Sequence, residues 1–230
     1  MDTRHVGFVC VKHGDKFSAD HVNRLYRMVE KNISLPFTFY CLTEDPTDII
    51  DQVNILPLDE SLGLRLWWWK MCIFKRSYGD VNVYLDLDVV IQNNLDWLCV
   101  PKKGIQLVDV SEFIPIDLSI LQHYYYNDGL YNSSVMIWSD DQSKLFDKFY
   151  SDKDFYMNVY RGMDTYFVHE EDGNNFYPLP LGAVYSRLNG GYDVWLEKND
   201  GDLYFYPNYT VCIFNSAHEK FYYKGFEEYF

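Results

Sequence analysis

The segment Val-Asn-Val-Tyr-Leu-Asp-Leu-Asp-Val-Val-Ile at 81–91 sets two carboxylates, Asp86 and Asp88, inside a run of β-branched, aromatic and aliphatic residues. Such a run favours a buried strand. In an extended chain residues i and i+2 share a side, about 6.6 Å apart along the backbone. The two acids therefore point one way while Leu85 and Leu87 point the other. Neighbouring anions beside a buried strand repel each other and resist desolvation. A divalent cation answers both problems, and an all-oxygen donor set suits the hard ions Mn²⁺ and Mg²⁺. A strand end whose acids merely face water is the bland alternative. The apolar residues continuing on both sides argue against it.

The residues before this segment set its context. His5–Val11 reads as a buried strand, followed by the polar loop Lys12-His13-Gly14-Asp15-Lys16. Ser18 or Asp20 can cap a helix whose apolar face is Val22, Leu25, Tyr26 and Val29, and Ser34-Leu35-Pro36 breaks it. Phe37–Leu42 reads as a second strand ending in Thr43-Glu44-Asp45-Pro46, and Val53–Leu56 as a short third. Arg65–Arg76 reads as an aromatic-rich helix, and Ser77–Asp80 as a turn. Strands alternating with helices, without two-residue hairpins, predict a parallel, Rossmann-like sheet. Ligands on such sheets bind beyond the carboxyl ends of the strands. Lys12, Thr43–Asp45 and Asp86–Asp88 all fall at such ends.

The second half is less regular. Gly104–Val110 and Tyr131–Trp138 read as strands, and Ser139 or Asp140 can cap a helix through Tyr150. Met163–His169 reads as a short helix, Gly182–Gly191 as a loop, and Val211–Phe214 as a last strand leading to Asn215-Ser216-Ala217-His218-Glu219. No repeat or linker interrupts the chain, so one α/β domain over 1–230 is expected. Aromatic side chains, 21 Tyr, 16 Phe and 6 Trp, supply ample area for its core. A formal charge of −14 is the wrong sign for nucleic-acid binding. It also means that an anionic ligand needs local help from a cation. No apolar run is long enough for a transmembrane helix, and Arg4, Lys12, Asp15, Lys16 and Asp20 do not fit a signal peptide. The 5 cysteines are scattered, odd in number and mostly within apolar runs. They read as buried free thiols of a cytoplasmic protein.

Four ordered features carry a family resemblance: Asp86-x-Asp88 after an apolar strand; Trp69-Lys70 on the helix before it; Asn132-Ser133 on a later strand; and the apolar strand Val211–Phe214 followed by His218. Together they resemble the GT-A nucleotide-sugar glycosyltransferases, most closely the glycosyltransferase family 8-like group. The resemblance implies a single GT-A domain with a mixed, mainly parallel central sheet flanked by helices. Residues 1–100 would bind the nucleotide and 101–230 the sugar and acceptor. It implies a hexosyltransferase moving glucose or galactose from a UDP-sugar to a sugar or glycan acceptor, with Mn²⁺ or Mg²⁺ as cofactor.

The resemblance also implies roles. Asp86 and Asp88 would hold the metal against the diphosphate, with Leu87 between them, and Lys70 would sit by the phosphates or donor sugar. Cys10, Val11 and Lys12 would border the base, and Thr43 the uracil or ribose. Asn132 would lie along the donor site, and Asp164 would act at the reacting sugar. The family's His-x-Gly-x-x-Lys-Pro motif is here Asn215-Ser216-Ala217-His218-Glu219-Lys220, so either Asn215 or His218 would supply the third metal ligand. The Asp-Gln-Asp motif of some relatives is Met163-Asp164-Thr165, which leaves only Asp164. Trp67, Trp68 and Trp69 could stack on sugar rings, although not all three can share one surface. Two rivals remain. Asp86-x-Asp88-Val also fits the first motif of haloacid-dehalogenase-type phosphatases, with Asp140-Asp141 as their last metal motif. A non-catalytic nucleotide- or sugar-binding module is the other.

Overall fold

The computed structural model describes residues 3–110, 131–170, 175–187, 204–214 and 226–230. Strand β1 (Val6–Lys12) is followed by helix α1 (Ala19–Asn32), β2 (Phe37–Thr43), β3 (Val53–Pro57) and a 3₁₀ segment, Leu66–Lys75. After it come β4 (Val81–Leu85), β5 (Val90–Ile91), β6 (Ile105–Asp109) and β7 (Tyr131–Trp138). Helices α2 (Ser143–Ser151), α3 (Lys153–Val159) and α4 (Met163–Glu170) lead to β8 (Phe176–Pro178), β9 (Val184–Ser186) and β10 (Val211–Ile213). The main sheet has seven strands in the order β3-β2-β1-β4-β7-β6-β8. Strands β3, β2, β1 and β4 run parallel, β7 is antiparallel to both β4 and β6, and β8 is parallel to β6. The expected mixed, mainly parallel α/β sheet is present. A second, three-stranded sheet is ordered β5-β10-β9.

Period-two alternation divides the core. Val6, Phe8 and Cys10 of β1, with Val81, Val83 and Leu85 of β4, face α1 and the small sheet. Val9 and Tyr84, from the same strands, face the 3₁₀ segment together with Trp68, Phe149 and Tyr166. Helix α1 buries Val22, Leu25, Tyr26, Met28 and Val29 on the first face, as its apolar spacing predicts. Its Asn23 pins the following loop, donating to the Asp48 carbonyl and accepting from the Ile50 amide.

Four expectations need correction. The strand expected over 81–91 stops at Leu85, a turn carries Asp86–Val89, and β5 resumes in the other sheet. The apolar run hid the break because both pieces are buried. Residues 66–75 form a 3₁₀ rather than an α-helix; a 3₁₀ spiral rises about 2.0 Å per residue against 1.5 Å, so the segment reaches further across the sheet. The helix expected from Ser139 or Asp140 begins at Ser143, because Asp140 instead accepts from the Gly104 amide and Asp141 from the Ser143 amide. Within the expected loop 182–191, Val184–Ser186 pairs with β10, and 188–191 lie outside the described residues.

The turn before β4 packs against β1 so closely that only glycine fits. A Cβ on Gly7 would lie 2.4 Å from the Tyr78 carbonyl carbon, and one on Gly79 would lie 2.6 Å from the Gly7 amide nitrogen. Backbone cannot yield as a side-chain tip can. Gly7→Ala is expected to lower stability by about 3 kcal/mol, read as a shift of the urea midpoint at unchanged m-value.

Candidate active site

The strand order fixes where a ligand can lodge. From β1 the chain crosses to β2 on one side, while β4 lies on the other, so the sheet has a switch point between the carboxyl ends of β1 and β4. Asp86 and Asp88 leave β4 there. The amide of Asp86 still donates to the Ser134 carbonyl (2.9 Å), which ties the turn to the start of β7. Because β7 is antiparallel to β4, its first residues, Asn132 and Ser133, come to the same end.

Lys70 reaches this end from the 3₁₀ segment. Its Nζ lies 2.6 Å from Asp86 Oδ1 and 2.9 Å from Oδ2, and the Tyr84 hydroxyl donates to Oδ1 at 2.6 Å. Asp164, in the first turn of α4, accepts from the Ser133 amide at 3.0 Å. Burial works against the charge on Lys70, but the carboxylates of Asp86, Asp164 and Asp88 outweigh it and raise its pKa above the ordinary lysine value. Burial and the Asp86 charge push Asp88 up to about 6, opposed by Lys16 and Lys70. Burial likewise raises Asp164, against the pull of Lys70 and the Ser133 hydrogen bond. Three carboxylates thus converge around one buried ammonium, and the site carries excess negative charge in a poorly hydrated place.

Asp88 forms no ion pair among the described residues, whereas both oxygens of Asp86 are taken by Lys70 and Tyr84. That arrangement suits a cation held chiefly by Asp88, with Asp86 Oδ2, which accepts from Lys70 alone, keeping a lone pair for the same ion. Among the described residues no cluster of three or more His, Cys, Asp or Glu side chains is assembled for a metal. Asn215 and His218 lie outside the described residues.

The remaining expected site residues divide. Lys12 is buried, and its Nζ donates to the Asp45 carbonyl (3.1 Å) near the Asp45 carboxylate (3.7 Å). The Thr43 hydroxyl is committed to the Asp45 backbone, the turn chemistry expected of Thr-Glu-Asp-Pro. Cys10 and Leu87 are buried in the core, so their side chains face away from the crevice. Val11 packs against the opposite cluster. Asn132 turns back on its own strand, accepting from the Ser134 amide. Tyr84 was not singled out from the sequence. It stands two residues before Asp86, and period two puts both on one side, so the signal was there.

No protein-family model and no curated protein matches the sequence. Solved structures do match in shape. The galactosyltransferase LgtC, in complex with donor and acceptor sugar analogs, aligns over 97% of this chain and 93% of its own, with a TM-score of 0.66 at 14% identity. This chain has the GT-A fold. An active-site mutant of LgtC aligns over 92% and 88% of the two chains (TM-score 0.60, 12% identity). Mouse xyloside xylosyltransferase 1, in its apo form, aligns over 92% and 98% (TM-score 0.53, 11% identity). In this GT-A sheet Asp86 and Asp88 lie just beyond the carboxyl end of β4, at the switch point.

The same topology answers the phosphatase reading. Trp138 pairs with Asn82, at the start of β4, so Asp140 and Asp141 leave β7 at the edge of the sheet opposite Asp86 and Asp88. Acids at opposite edges cannot share one metal. All five cysteines are free and buried, and no described helix is long and apolar enough to cross a membrane.

Proposed function

We propose that the protein is a metal-dependent glycosyltransferase that moves a hexosyl group, glucose or galactose, from a UDP-sugar to a sugar or glycan acceptor. The observation that carries this reading is the convergence of Asp86, Asp88, Lys70 and Asp164 at the switch point of a GT-A sheet. The neighbour crystallised with donor and acceptor sugar analogs supports it. Residues 1–100 would carry the nucleotide and 101–230 the sugar and acceptor, since Lys70, Asp86 and Asp88 come from the first part and Asp164 from the second.

Asp88, with an oxygen of Asp86, would hold Mn²⁺ or Mg²⁺, and Asn215 or His218 would complete the set. The bound ion supplies charge neutralisation for the departing diphosphate. Lys70 adds a fixed cation beside the same phosphates, and its contact with Asp86 keeps it aimed before substrate arrives. Tyr84 holds Asp86 from the other side. Asp164, fixed through the Ser133 amide, is placed to orient a sugar hydroxyl or take its proton. Lys12 and the Thr43–Asp45 turn would border the nucleoside.

Asp164→Asn separates charge from shape, because Asn can still accept from the Ser133 amide. Turnover is expected to fall about 100-fold while UDP affinity stays within about twofold, as for a group used mainly in the transition state. A variant that melts early with turnover per folded molecule intact would make Asp164 a helix-start residue only.

Metal binding should also depend on pH. Asp88 titrates near 6 when folded and near 3.9 when unfolded, so between these values the folded protein holds the extra proton. Metal-free stability from this group therefore falls as pH rises from about 4 to 6. A cation must displace that proton, so Mn²⁺ affinity in the presence of UDP is expected to drop about tenfold per pH unit below 6 and level off above 7. Calorimetric titration of UDP with Mn²⁺ and with EDTA tests the reading directly. Tight binding only with the metal is expected, and equal affinity in both would remove the metal from the proposal.

A further inference from the structure

The three consecutive tryptophans have different fates. Trp68 and Trp69 are 2% exposed, and Trp68 stacks on Phe149 with ring centroids 5.1 Å apart. Trp67 is 48% exposed, an unusual state for so large an apolar ring. It is nonetheless held in place. Its indole Nε1 donates to the Arg161 carbonyl at 2.8 Å. Gly162 presses against the ring edge, where a Cβ would come within 3.0 Å of Nε1. Leu66, just before it, sits in left-handed backbone at φ 52°, a strained conformation for a leucine.

Position gives this fixed, exposed ring a meaning. In a 3₁₀ segment, residues three apart eclipse one another at a spacing of about 6 Å. Trp67 therefore lies on the same stripe as Lys70, one turn before it. The Arg161-Gly162 backbone that holds the indole leads directly into Asp164 at the start of α4. Exposure falls from the open indole to Lys70 on the stripe and to Asp86 beyond it, whose side chains are 18% and 19% exposed. The phosphates of a donor belong at the buried end, beside the ammonium. An acceptor would approach from the open end. The C–H face of a pyranose is complementary to the electron-rich face of an indole.

We infer that Trp67 is the platform on which a pyranose ring of the acceptor stacks, one turn outward from Lys70. This rests on the transferase reading, so its test must separate the two. The probes are methyl glucopyranosides and methyl galactopyranosides as acceptors, with the nucleotide sugar that the wild-type protein cleaves as donor. Two rates are followed: release of UDP with water as acceptor, and transfer to the methyl glycoside. In Trp67→Ala, kcat/KM for the glycoside is expected to fall about tenfold, mostly through KM, while release to water and UDP affinity stay within about twofold. Trp67→Phe should restore most of the loss, since it keeps an aromatic face. Gly162→Ala, whose Cβ would push the indole edge by a few tenths of an ångström, should raise the glycoside KM in the same direction but by less, about twofold to threefold; it serves if the larger truncation does not fold.

Unchanged transfer in both variants that move or remove the indole would overturn the inference. So would no transfer by the wild-type protein to any of the methyl pyranosides. An equal fall in release to water with a raised donor KM would assign Trp67 to the donor sugar instead and also overturn it. Absence of any nucleotide-sugar cleavage by the wild-type protein is a different failure, that of the transferase reading itself.

Discussion

Asp88→Asn is expected to lower turnover of a nucleotide sugar by at least about 100-fold without unfolding the protein. Asp88 forms no ion pair among the described residues, whereas Asp86 is paired with Lys70. It sits where burial and Asp86 already resist its charge. Losing one electrostatic stabiliser of the transition state typically costs about 2.7–4 kcal/mol of barrier, which is 10²–10³ in rate. The fold should survive because the asparagine is close to isosteric and relieves like-charge repulsion. Metal-free stability at neutral pH should rise slightly, read from the urea midpoint. Loss of Mn²⁺-linked UDP binding in the same variant would tie the two effects to one group.

Lys70→Met is expected to damage both stability and activity. The ammonium is the centre of three carboxylates, and its pair with Asp86 is largely, not fully, shielded from water, with side chains 18% and 19% exposed. Removing one member of a shielded pair leaves a charge without compensation, a loss of about 3 kcal/mol. The double variant Lys70→Met with Asp86→Asn should recover much of that stability while remaining inactive. Such recovery without activity distinguishes a residue that serves the ligand from one that only holds the fold. If the single variant were as stable as the wild-type protein, the Lys70–Asp86 pair would not be the organising contact of the site.

The readable parts of the fold were those in which one pattern settles one element. β1, α1, β2 and β7 carry uninterrupted periodicity over a full element, and each lies where its pattern puts it. The carboxyl-end rule then brought Lys12, Thr43 and Asp86 to one edge without any contact information. What escaped was decided by tertiary pairing. β5, β8 and β9 are two or three residues long and exist only because a distant strand pairs with them. The 81–91 run is apolar throughout, so hydrophobicity could not reveal that its two ends enter different sheets. The 3₁₀ form of 66–75 was equally hidden; it eclipses Trp67 with Lys70, which an α-helix would leave about 60° apart.

Site chemistry was readable to the extent that charge patterns survive folding. Asp86 and Asp88 alternate with the buried Leu87 as period two requires, even though a turn has replaced the strand. Cys10 was placed by its position at a strand end, but its side chain belongs to the α1 face of the sheet. The partner of Asp164 is a backbone amide of β7, which no side-chain pattern could announce.

The most direct measurement is release of UDP from a panel of UDP-sugars, including UDP-glucose and UDP-galactose, with Mn²⁺ and with EDTA, for the wild-type protein and Asp88→Asn. Metal-dependent release from at least one hexose donor by the wild-type protein, abolished in Asp88→Asn, is the predicted result. No release from any donor, or release that persists equally in EDTA and in Asp88→Asn, would contradict it.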